Sequence, residues 1–475
     1  MSSKKVTITV FGGIEEIGGN KILIADSGYD VKIFLDFGKS FEISRRYYES
    51  PFTRPSTIQE LISIESVPDI SNLYTIACDI TKATREEREK WKSGKYSEEE
   101  PEPPVDAVLV SHAHLDHYGY VSLLNRKIPI YLGECAEKIV KARMETSTLN
   151  LETNYLCLDF KTFHSGDKIK INGLEIEPIH VDHSIPGAYG FLVYSSEGMI
   201  AYTGDFRMHG HASQLTQDFK DRILDEGTPE VLICEGTHTD KSIISDENEV
   251  RRKVSQVAET YEDLIIADFN ITDFDRFRTF LRVARETMRK LVLSTKQYFI
   301  FSAMNACKGL ETPCLDKSND ILVLDPQKKR YSAWERELLE KMRRKDRVVN
   351  YDEVRSKGEE YIFCTSIDSI TQVKQLKPPE GSLYILSTSE PFNEEKELSF
   401  EKLLNWLEFY GLSMIHVHAS GHAGPIEIRK FLKETRPKKV IPVHTEKPMQ
   451  FKRYYRKCVK DIVVLRQGHS YVLQA

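Results

Sequence analysis

Apolar and polar residues alternate in the first part of the chain, as they do in β-strands. This alternation predicts strands at 6–11, 21–26 and 32–36, with glycine-rich turns between them. It is lost from about 40 to 105, where a charged helical stretch, Arg85 to Lys95, precedes an acidic, proline-rich segment that cannot lie inside a helix or strand. We therefore predict an insertion over 40–105 that ends in a loop.

The rest of the chain follows two further rhythms. Short apolar runs that alternate with helical stretches after about residue 230 predict a parallel sheet with crossover helices. An α/β module is thus expected inside a domain of mixed sheets, whose last piece begins near 411. The predicted strands are 106–110, 168–181, 189–195, 199–203, 231–234, 263–267, 321–324, 360–364, 383–387, 413–417, 439–443, 461–466 and 470–473, and the main helices are 245–260, 273–290 and 332–345.

Length and composition limit the classes of protein to which the chain can belong. A chain of 475 residues favours two domains, and no apolar run approaches the length of a membrane span. The first residues lead directly into a strand, so we expect no signal peptide and a cytoplasmic location. The net charge of −6 does not indicate nucleic-acid binding, but two basic stretches stand out. They comprise Lys328–Arg330 with Lys341–Lys345, and Lys452–Lys457, and each is either a solvated helix face or a track for a phosphate backbone.

The eight cysteines show no C-x-x-C spacing. We therefore expect neither a disulfide framework nor a cysteine-based zinc site, and interpret the cysteines as small buried residues in a reducing compartment.

A cluster of metal-binding residue types follows the predicted strand at 106–110. His112, His114, Asp116 and His117 place four potential ligands within six residues, at the point where a strand turns into a helix. Unpaired imidazoles and a carboxylate crowded in this way would be costly without a metal ion. The cluster therefore predicts a metal site, and its two halves can face two ions.

Further ligands are expected at other strand ends, because one cluster cannot complete two metal sites. Three isolated candidates each follow an apolar run: His183, Asp205 and His444. Active sites of layered α/β folds collect at such strand ends.

In order and spacing, these seven residues resemble the dinuclear zinc motifs of the metallo-β-lactamase-fold hydrolases. The inserted module and three further motifs resemble the β-CASP branch, which contains nucleases. Those motifs match Glu235, His422 and His444. Within that branch the segment from Gly12 to Asn20 is similar to the amino-terminal signature of the RNase J group.

The resemblance implies an α/β fold, with a metallo-β-lactamase αββα sandwich and an inserted β-CASP domain built on a parallel sheet. The expected divisions are 1–228 and 411–475 for the sandwich and 229–410 for the insert. It also implies two Zn²⁺ ions per chain, with Mn²⁺ as the alternative. One would be held by His112, His114 and His183, the other by Asp116, His117 and His444, and Asp205 would bridge them.

The implied activity is hydrolysis of RNA, with 5′→3′ exonuclease action and internal cutting as a second mode. Asp116 would orient the attacking hydroxide, His422 would protonate the leaving oxygen, and Glu235 would hold an imidazole of the site. Ser420, Gly421 and His422 would contact the substrate. The expected partner is single-stranded RNA rather than a membrane, and a homodimer is the candidate assembly.

Several alternatives remain open at this stage. His422 also suits a cap for the helix near Pro425, and Glu235 a simple ion pair. The chain stops soon after His444, which suggests a divergent branch without the separate C-terminal domain of RNase J. A nuclease of single-stranded DNA, a small-molecule (thio)ester hydrolase and a catalytically silent RNA-binding subunit are the competing functions.

Overall fold

The computed structural model of the chain describes residues 5–48, 54–76, 100–156, 158–240, 245–304, 307, 315–366, 370–388 and 394–473. The strands of these residues form three seven-stranded sheets. In chain order they are β1 Val6–Gly12, β2 Lys21–Asp26, β3 Val31–Phe37, β4 Ala107–Val110, β5 Ile130–Gly133, β6 Phe160–Phe163, β7 Ile169–Ile171, β8 Leu174–Val181, β9 Ala188–Ser195, β10 Gly198–Tyr202, β11 Val231–Glu235, β12 Ile265–Asp268, β13 Lys290–Leu293, β14 Ile321–Leu324, β15 Val348–Val349, β16 Tyr361–Thr365, β17 Leu383–Leu386, β18 Ser413–His416, β19 Lys439–Val443, β20 Asp461–Ile462 and β21 Ser470–Leu473.

The helices connect and cover these sheets. None of the described helices is both long and apolar enough to cross a lipid bilayer. The α-helices are α1 Phe41–Tyr47, α2 Ile58–Ser63, α3 Leu115–Tyr118, α4 Glu134–Thr146, α5 Ser213–Glu226, α6 Glu247–Thr260, α7 Phe274–Glu286, α8 Thr295–Ala303, α9 Ala333–Arg343, α10 Tyr351–Ser356, α11 Ile370–Leu376, α12 Glu394–Phe409, α13 Pro425–Thr435 and α14 Pro448–Tyr455.

Two of the sheets pack face to face. The first runs in the order β21-β1-β2-β3-β4-β5-β6 and the second in the order β20-β19-β11-β10-β9-β8-β7. Apolar side chains from both, including Ile8, Ile22, Phe191 and Ile233, form one fully buried cluster. The period-two alternation of β1 and β2 produces this inner face, because every second side chain points toward the opposite sheet.

Helices cover the outer faces of this sandwich. On the second sheet, α5, α13 and α14 pack through Phe219, Phe431 and Phe451. On the first sheet, α4 packs through residues such as Ile139 into a cluster that continues to the third sheet. The predicted αββα arrangement is confirmed.

The third sheet has the order β15-β14-β13-β16-β12-β17-β18, and all its strand pairs are parallel. Parallel neighbours need crossover connections, which the helices between the strands supply. This confirms the predicted parallel sheet. Strand β11 lies in the second sheet and β18 in the third, and the division of the chain into domains at 229 and 410 stays a prediction.

The predicted insertion over 40–105 is described in part. It contains α1 and α2, and Tyr74 forms an isolated β-bridge with Leu124. Glu100 accepts a hydrogen bond from the Thr75 hydroxyl. The stretch from Arg85 to Lys95 lies outside the described residues.

One expectation about the cysteines is wrong. Cys135, on α4, and Cys307, which follows α8, form a disulfide although 172 positions separate them. The fold brings them together because α4 and α8 pack against each other. No spacing in the sequence could reveal such a pairing. Cys234 and Cys364 are free and buried, as expected.

Candidate metal centre

Five strands deliver the predicted metal ligands and Glu235 to one edge of the sandwich. The segment from His112 to His117 follows β4 of the first sheet, and Glu235 ends β11 of the second. In the second sheet β8, β10, β11 and β19 run parallel to one another, so their carboxyl ends share an edge. His183, Asp205 and His444 follow β8, β10 and β19 there.

The first group of ligand atoms comprises three imidazole nitrogens. His114 Nδ1 lies 3.0 Å from His112 Nε2 and 3.1 Å from His183 Nε2. His112 and His183 are buried and His114 is half-buried, and burial lowers the pKa of each, to about 4 for His114. Neutral imidazoles with converging nitrogens are what a divalent cation requires.

The second group comprises Asp116, His117 and His444. Asp116 Oδ2 lies 3.2 Å from His444 Nε2 and 4.0 Å from His117 Nε2. Burial opposes ionisation of Asp116, but the hydrogen bond from His444 and the nearby charge of His117 outweigh it and lower the pKa of Asp116.

Asp205 lies between the two groups. Its Oδ2 is 3.6 Å from His112 Nε2 in the first group and 3.0 Å from His117 Nε2 in the second. One carboxylate oxygen is therefore in reach of ligand atoms on both sides, which is the geometry of a bridging ligand.

The chemistry of these donors fits a pair of zinc ions. Nitrogen and carboxylate oxygen are zinc ligands, and three protein ligands with an open position are typical of catalytic zinc. Asp205 Oδ1 is buried and lacks a hydrogen-bond partner. A bound cation would remove the cost of this unpartnered oxygen.

Asp36 fixes the orientation of His117. Its Oδ2 accepts from His117 Nδ1 at 2.8 Å, from the Ser111 hydroxyl at 2.9 Å and from the Tyr202 hydroxyl at 2.6 Å. With the proton on Nδ1, His117 presents the lone pair of Nε2 to the metal site. Burial would lower the pKa of His117, but Asp205 and Asp36 raise it well above the ordinary value.

Two other predicted ligands are oriented in the same way. Gly421 carbonyl oxygen accepts from His183 Nδ1 at 2.5 Å. Thr237 Oγ1 lies 2.8 Å from His444 Nδ1 and 2.8 Å from Glu235 Oε2. Gly421, predicted as a substrate contact, thus also holds a ligand imidazole through its backbone.

Glu235 and His422 form a pair beside the second group. His422 Nδ1 lies 3.2 Å from Glu235 Oε2 and 3.8 Å from Asp205 Oδ2. Burial would lower the pKa of His422, but these two carboxylates raise it to about 9. Glu235, His422, Asp205 and His444 also offer four ligand-type atoms close enough to share an ion. The short contact to Glu235 favours a protonated His422 instead.

Ser420 lies at the start of the His422 loop. Its Oγ accepts from the His422 backbone N–H at 3.0 Å and lies 2.7 Å from His238 Nε2. The carbonyl of Ser420 accepts from Arg207 Nη1 at 3.1 Å and lies 2.9 Å from His209 Nε2. The loop is thus held rigidly on both sides.

The glycine-rich amino-terminal segment packs against two of the predicted ligands. His444, whose backbone has φ of 53°, donates its N–H to the Gly13 carbonyl at 2.6 Å. Gly18 has φ of 83°, and a Cβ there would lie 2.5 Å from Asp116. A glycine is required at that position both for the left-handed backbone and for the close approach.

All nine predicted metal-binding and catalytic residues therefore lie in one cluster, with Ser420 and Gly421 beside them; the roles assigned to them stay a prediction. Four residues that hold the site were not selected from the sequence: Asp36, Thr237, His238 and Arg207. Asp36 carried one usable signal, since it is a charged residue at the end of the apolar strand β3.

The two basic stretches differ in their surroundings. In the first, Lys328 pairs with Glu335 at 2.7 Å and Arg343 with Asp325 at 2.7 Å, which favours a solvated helix face. In the second, Tyr455 is buried and Tyr454 is half exposed, so one aromatic ring rather than two is available to a partner.

Comparisons with known proteins agree with this geometry. A family model described as Beta-lactamase superfamily domain matches residues 79–263, and one described as Zn-dependent metallo-hydrolase RNA specificity domain matches residues 412–462. Ribonuclease J of Mycoplasma genitalium is 24% identical over 98% of this chain and 74% of its own length. Ribonuclease J 1 of Streptococcus pyogenes serotype M3 is 23% identical over 73% of this chain, which spans 59% of that relative.

Among solved structures, a protein of unknown function from Enterococcus faecalis V583 superposes with a TM-score of 0.74. It is 21% identical, and the match covers 99% of this chain and 100% of that one. That likeness shows the fold alone. The family models and the ribonuclease J relatives show that the chain is a metal-dependent hydrolase with a metallo-β-lactamase domain, consistent with a β-CASP protein similar to ribonuclease J.

Proposed function

We propose that the chain is a metal-dependent ribonuclease that hydrolyses phosphodiester bonds of RNA. The observation that carries the proposal is the position of Asp205 Oδ2, 3.6 Å from His112 Nε2 and 3.0 Å from His117 Nε2. An oxygen between two ligand groups suits a pair of ions, which hydrolyse phosphodiesters by stabilising both the attacking and the leaving oxygen.

RNA is the proposed polymer for two reasons. The RNA specificity family model spans both His422 and His444, and the relatives named above are ribonucleases J. We propose Zn²⁺ as the bound ion, with Mn²⁺ as the alternative, because the donor set is rich in imidazole.

The ligands would be divided as predicted. His112, His114 and His183 would hold one ion, Asp116, His117 and His444 the other, and Asp205 would contact both. Bound there, two such ions would lower the pKa of water toward neutrality and neutralise charge on the scissile phosphate. Asp116, whose side chain is 15% exposed, would orient the attacking water with its carboxylate.

His422 would supply the proton that the leaving 3′-oxygen needs. Its Nδ1 faces Glu235 at 3.2 Å, so Nε2 is the atom that can donate to substrate. Glu235 would act as a positioning residue, because its carboxylate favours the protonated imidazole and fixes the ring.

Removal of nucleotides from the 5′ end is the proposed mode of action. Ser420 Oγ and His238 Nε2, 2.7 Å apart and next to His422, form a polar pair that would bind a terminal phosphate. Gly421 would contribute its backbone beside them. Internal cutting is the second mode, and both require a single strand that can enter the cleft.

The setting we propose is the cytoplasm, where RNA is made and degraded, and the proposed assembly is a homodimer. Cell fractionation and sedimentation of the purified protein test these two statements.

The decisive experiment is a time course on end-labelled single strands of RNA and DNA of one sequence, with 5′-monophosphate, 5′-triphosphate or 5′-hydroxyl ends and a chelator control. Mononucleotides released from 5′-monophosphate RNA alone would support the proposal. Discrete internal products would assign the second mode. Chelator-sensitive cleavage of DNA alone, or of neither polymer, would overturn the proposal in favour of a DNA nuclease or a small-molecule hydrolase.

A pair of variants then tests the role of His422. His422→Ala should retain its metal ions, measured by mass spectrometry, and slow cleavage by at least about a hundredfold. The control is His469→Ala, an exposed histidine in the turn before β21. A mild effect in the first variant would reduce His422 to a helix cap.

A further inference from the structure

Positive charge is concentrated in one short part of this acidic chain. Although the net charge is −6, residues 425–461 contain twelve lysines and arginines and four carboxylates. This segment comprises α13, β19, α14 and the turns that follow them.

Burial separates the two faces of both helices. Ile428, Phe431 and Leu432 of α13, and Phe451 and Tyr455 of α14, are buried against the second sheet. Their basic residues must therefore lie on the outer side. The exposed cations of α13, α14 and the turn after α14, which we call the basic face, are Arg429, Lys430, Lys433, Lys452, Arg453, Arg456, Lys457 and Lys460.

These cations are not neutralised by neighbours. Within the residues that the structure describes, none of the eight forms an ion pair with a carboxylate; the carboxylates nearby are engaged elsewhere. Glu434 pairs with Lys220 and Glu427 with His209. A surface of this kind keeps its potential available to a polyanion.

The basic face adjoins the metal centre. Helix α13 starts three residues after His422, and α14 starts four residues after His444. The start of α13 is joined to the end of α14, where the Tyr455 hydroxyl donates to the Pro425 carbonyl at 3.3 Å. Since a helix rises about 1.5 Å per residue, Lys433 lies about 12 Å along α13 from its first residue.

Exposed apolar groups accompany the charges. Ile426 is 67% exposed, Met449 66% and Tyr454 50%. An exposed ring among cations is the combination on which bases of a single strand stack while the backbone follows the charges. Three separate apolar side chains do not form the continuous apolar face of a helix that lies in a membrane surface.

We propose that the basic face is an exosite for single-stranded RNA, which binds the part of the polymer that lies outside the metal centre. This inference rests on the proposed ribonuclease function, because that function supplies the substrate class, RNA. It adds a second region of contact, so that long RNA binds more tightly than a fragment that reaches only the metal centre.

The test uses charge reversal on the full chain. Arg429→Glu/Lys433→Glu should weaken binding of a long single-stranded RNA at least about tenfold and flatten its salt dependence, because each lost phosphate contact removes about 0.7 from the logarithmic slope. Cleavage of a trinucleotide, too short to span the helix, should be unchanged. The matched control is Lys329→Glu/Arg330→Glu, an equal change of charge at exposed residues before α9.

Binding is measured by fluorescence anisotropy in the metal-loaded His422→Ala background, so that it does not depend on cleavage. Unchanged binding of long RNA, or an equal loss in the control, would overturn the exosite. Wild-type protein that binds vesicles of phosphatidylcholine and phosphatidylserine but not RNA would replace it with a membrane surface. Failure of the ribonuclease proposal would appear separately, as RNA that binds without being cut.

Discussion

Arg207 and Arg276 share one carboxylate oxygen. Glu247 Oε1 accepts from Arg207 Nη1 at 3.4 Å and from Arg276 Nη2 at 3.2 Å, and all three side chains are fully buried. Each arginine also donates to the backbone of the loop before His422, Arg207 to the Ser420 carbonyl and Arg276 to the Ala419 carbonyl, both at 3.1 Å. The loop that carries His422 is therefore held by two arginines, Arg207 in the loop after β10 and Arg276 on α7.

Replacement of one of these arginines should be costly. Arg276→Met leaves Glu247 buried with less compensation, so we expect the free energy of unfolding to fall by about 3–5 kcal/mol. Urea unfolding measures this, with Arg282→Met, an exposed arginine of α7, as the control. Adding Glu247→Gln should recover part of the loss, and strictly additive effects would contradict a shared pair.

The position of Asp205 between the two ligand groups predicts that its replacement affects both proposed ions. Asp205→Ala should lower occupancy at both positions, whereas His114→Ala should lower it chiefly at one, because His114 contacts only the first ligand group. Both variants should abolish activity and leave the far-ultraviolet circular dichroism unchanged.

Metal content by mass spectrometry distinguishes the two variants, with Asp218→Ala on the exposed side of α5 as control. If Asp205→Ala retained as much metal as His114→Ala, the carboxylate would not bridge. Normal activity in either variant would overturn the metal mechanism itself.

Asp36 should affect the metal affinity of the site through its contact with His117, without binding the ion itself. Asp36→Asn keeps the size of the side chain and suits the left-handed backbone at φ of 59°, but it removes the charge that faces His117 Nδ1. We expect metal affinity to fall about 10–100-fold. Competition with a chelator measures this, and Asp30→Asn, an exposed position with φ of 51°, is the matched control. An unchanged affinity would show that Ser111 and Tyr202 suffice to hold the site.

Sequence reasoning succeeded where chemistry follows strand ends. His183, Asp205 and His444 could be selected because each follows an apolar run, and parallel strands bring such ends together. Asp36 carried the signal of a charge at a strand end but was not selected, and Thr237 carried none, because its contact with His444 joins residues far apart in the chain. The same holds for Arg207 and its partners.

Errors in the predicted elements have local causes. The helix predicted over 273–290 ends at Glu286, because Met288 adopts a left-handed backbone with φ of 58°, and strand β13 begins at Lys290. The strand predicted over 168–181 is a hairpin, since Asn172 and Gly173, with φ of 48° and 91°, form its turn. The Asn-Gly pair is a sequence that predicts a turn, whereas nothing in the sequence around Met288 predicts a left-handed residue.

The disulfide between Cys135 and Cys307 predicts a redox-dependent stability. The bond closes a loop of 172 positions, so reduction should lower the free energy of unfolding by about 2–5 kcal/mol. Urea unfolding with and without a reductant measures this, and Cys135→Ser should abolish the difference while Cys458→Ser should not. An intact mass that shows both thiols free in non-reduced protein would contradict the bond.

Lys21 provides a pH-dependent contribution to stability. Lys21 is 1% exposed and its ammonium group donates to the Gly19 carbonyl at 2.8 Å. Burial, opposed by Glu16, lowers the pKa of Lys21 from 10.5 to about 8. Below pH 8 the lysine is charged in both the folded and the unfolded chain. Between about pH 8 and 10.5 the unfolded chain retains a proton that the folded chain has lost, so stability rises with pH through this window.

Lys21→Met removes the titrating group, and with it this dependence of stability on pH. The free energy of unfolding of the wild type, relative to this variant, should therefore increase by about 3 kcal/mol as the pH rises from about 8 to 10.5, at roughly 1.4 kcal/mol per unit of pKa shift. Lys32→Met, an exposed lysine on β3, is the control and should show no such trend. A difference that stays flat across the window would mean that Lys21 keeps an ordinary pKa, and that Glu16 compensates the charge of the buried ammonium in full.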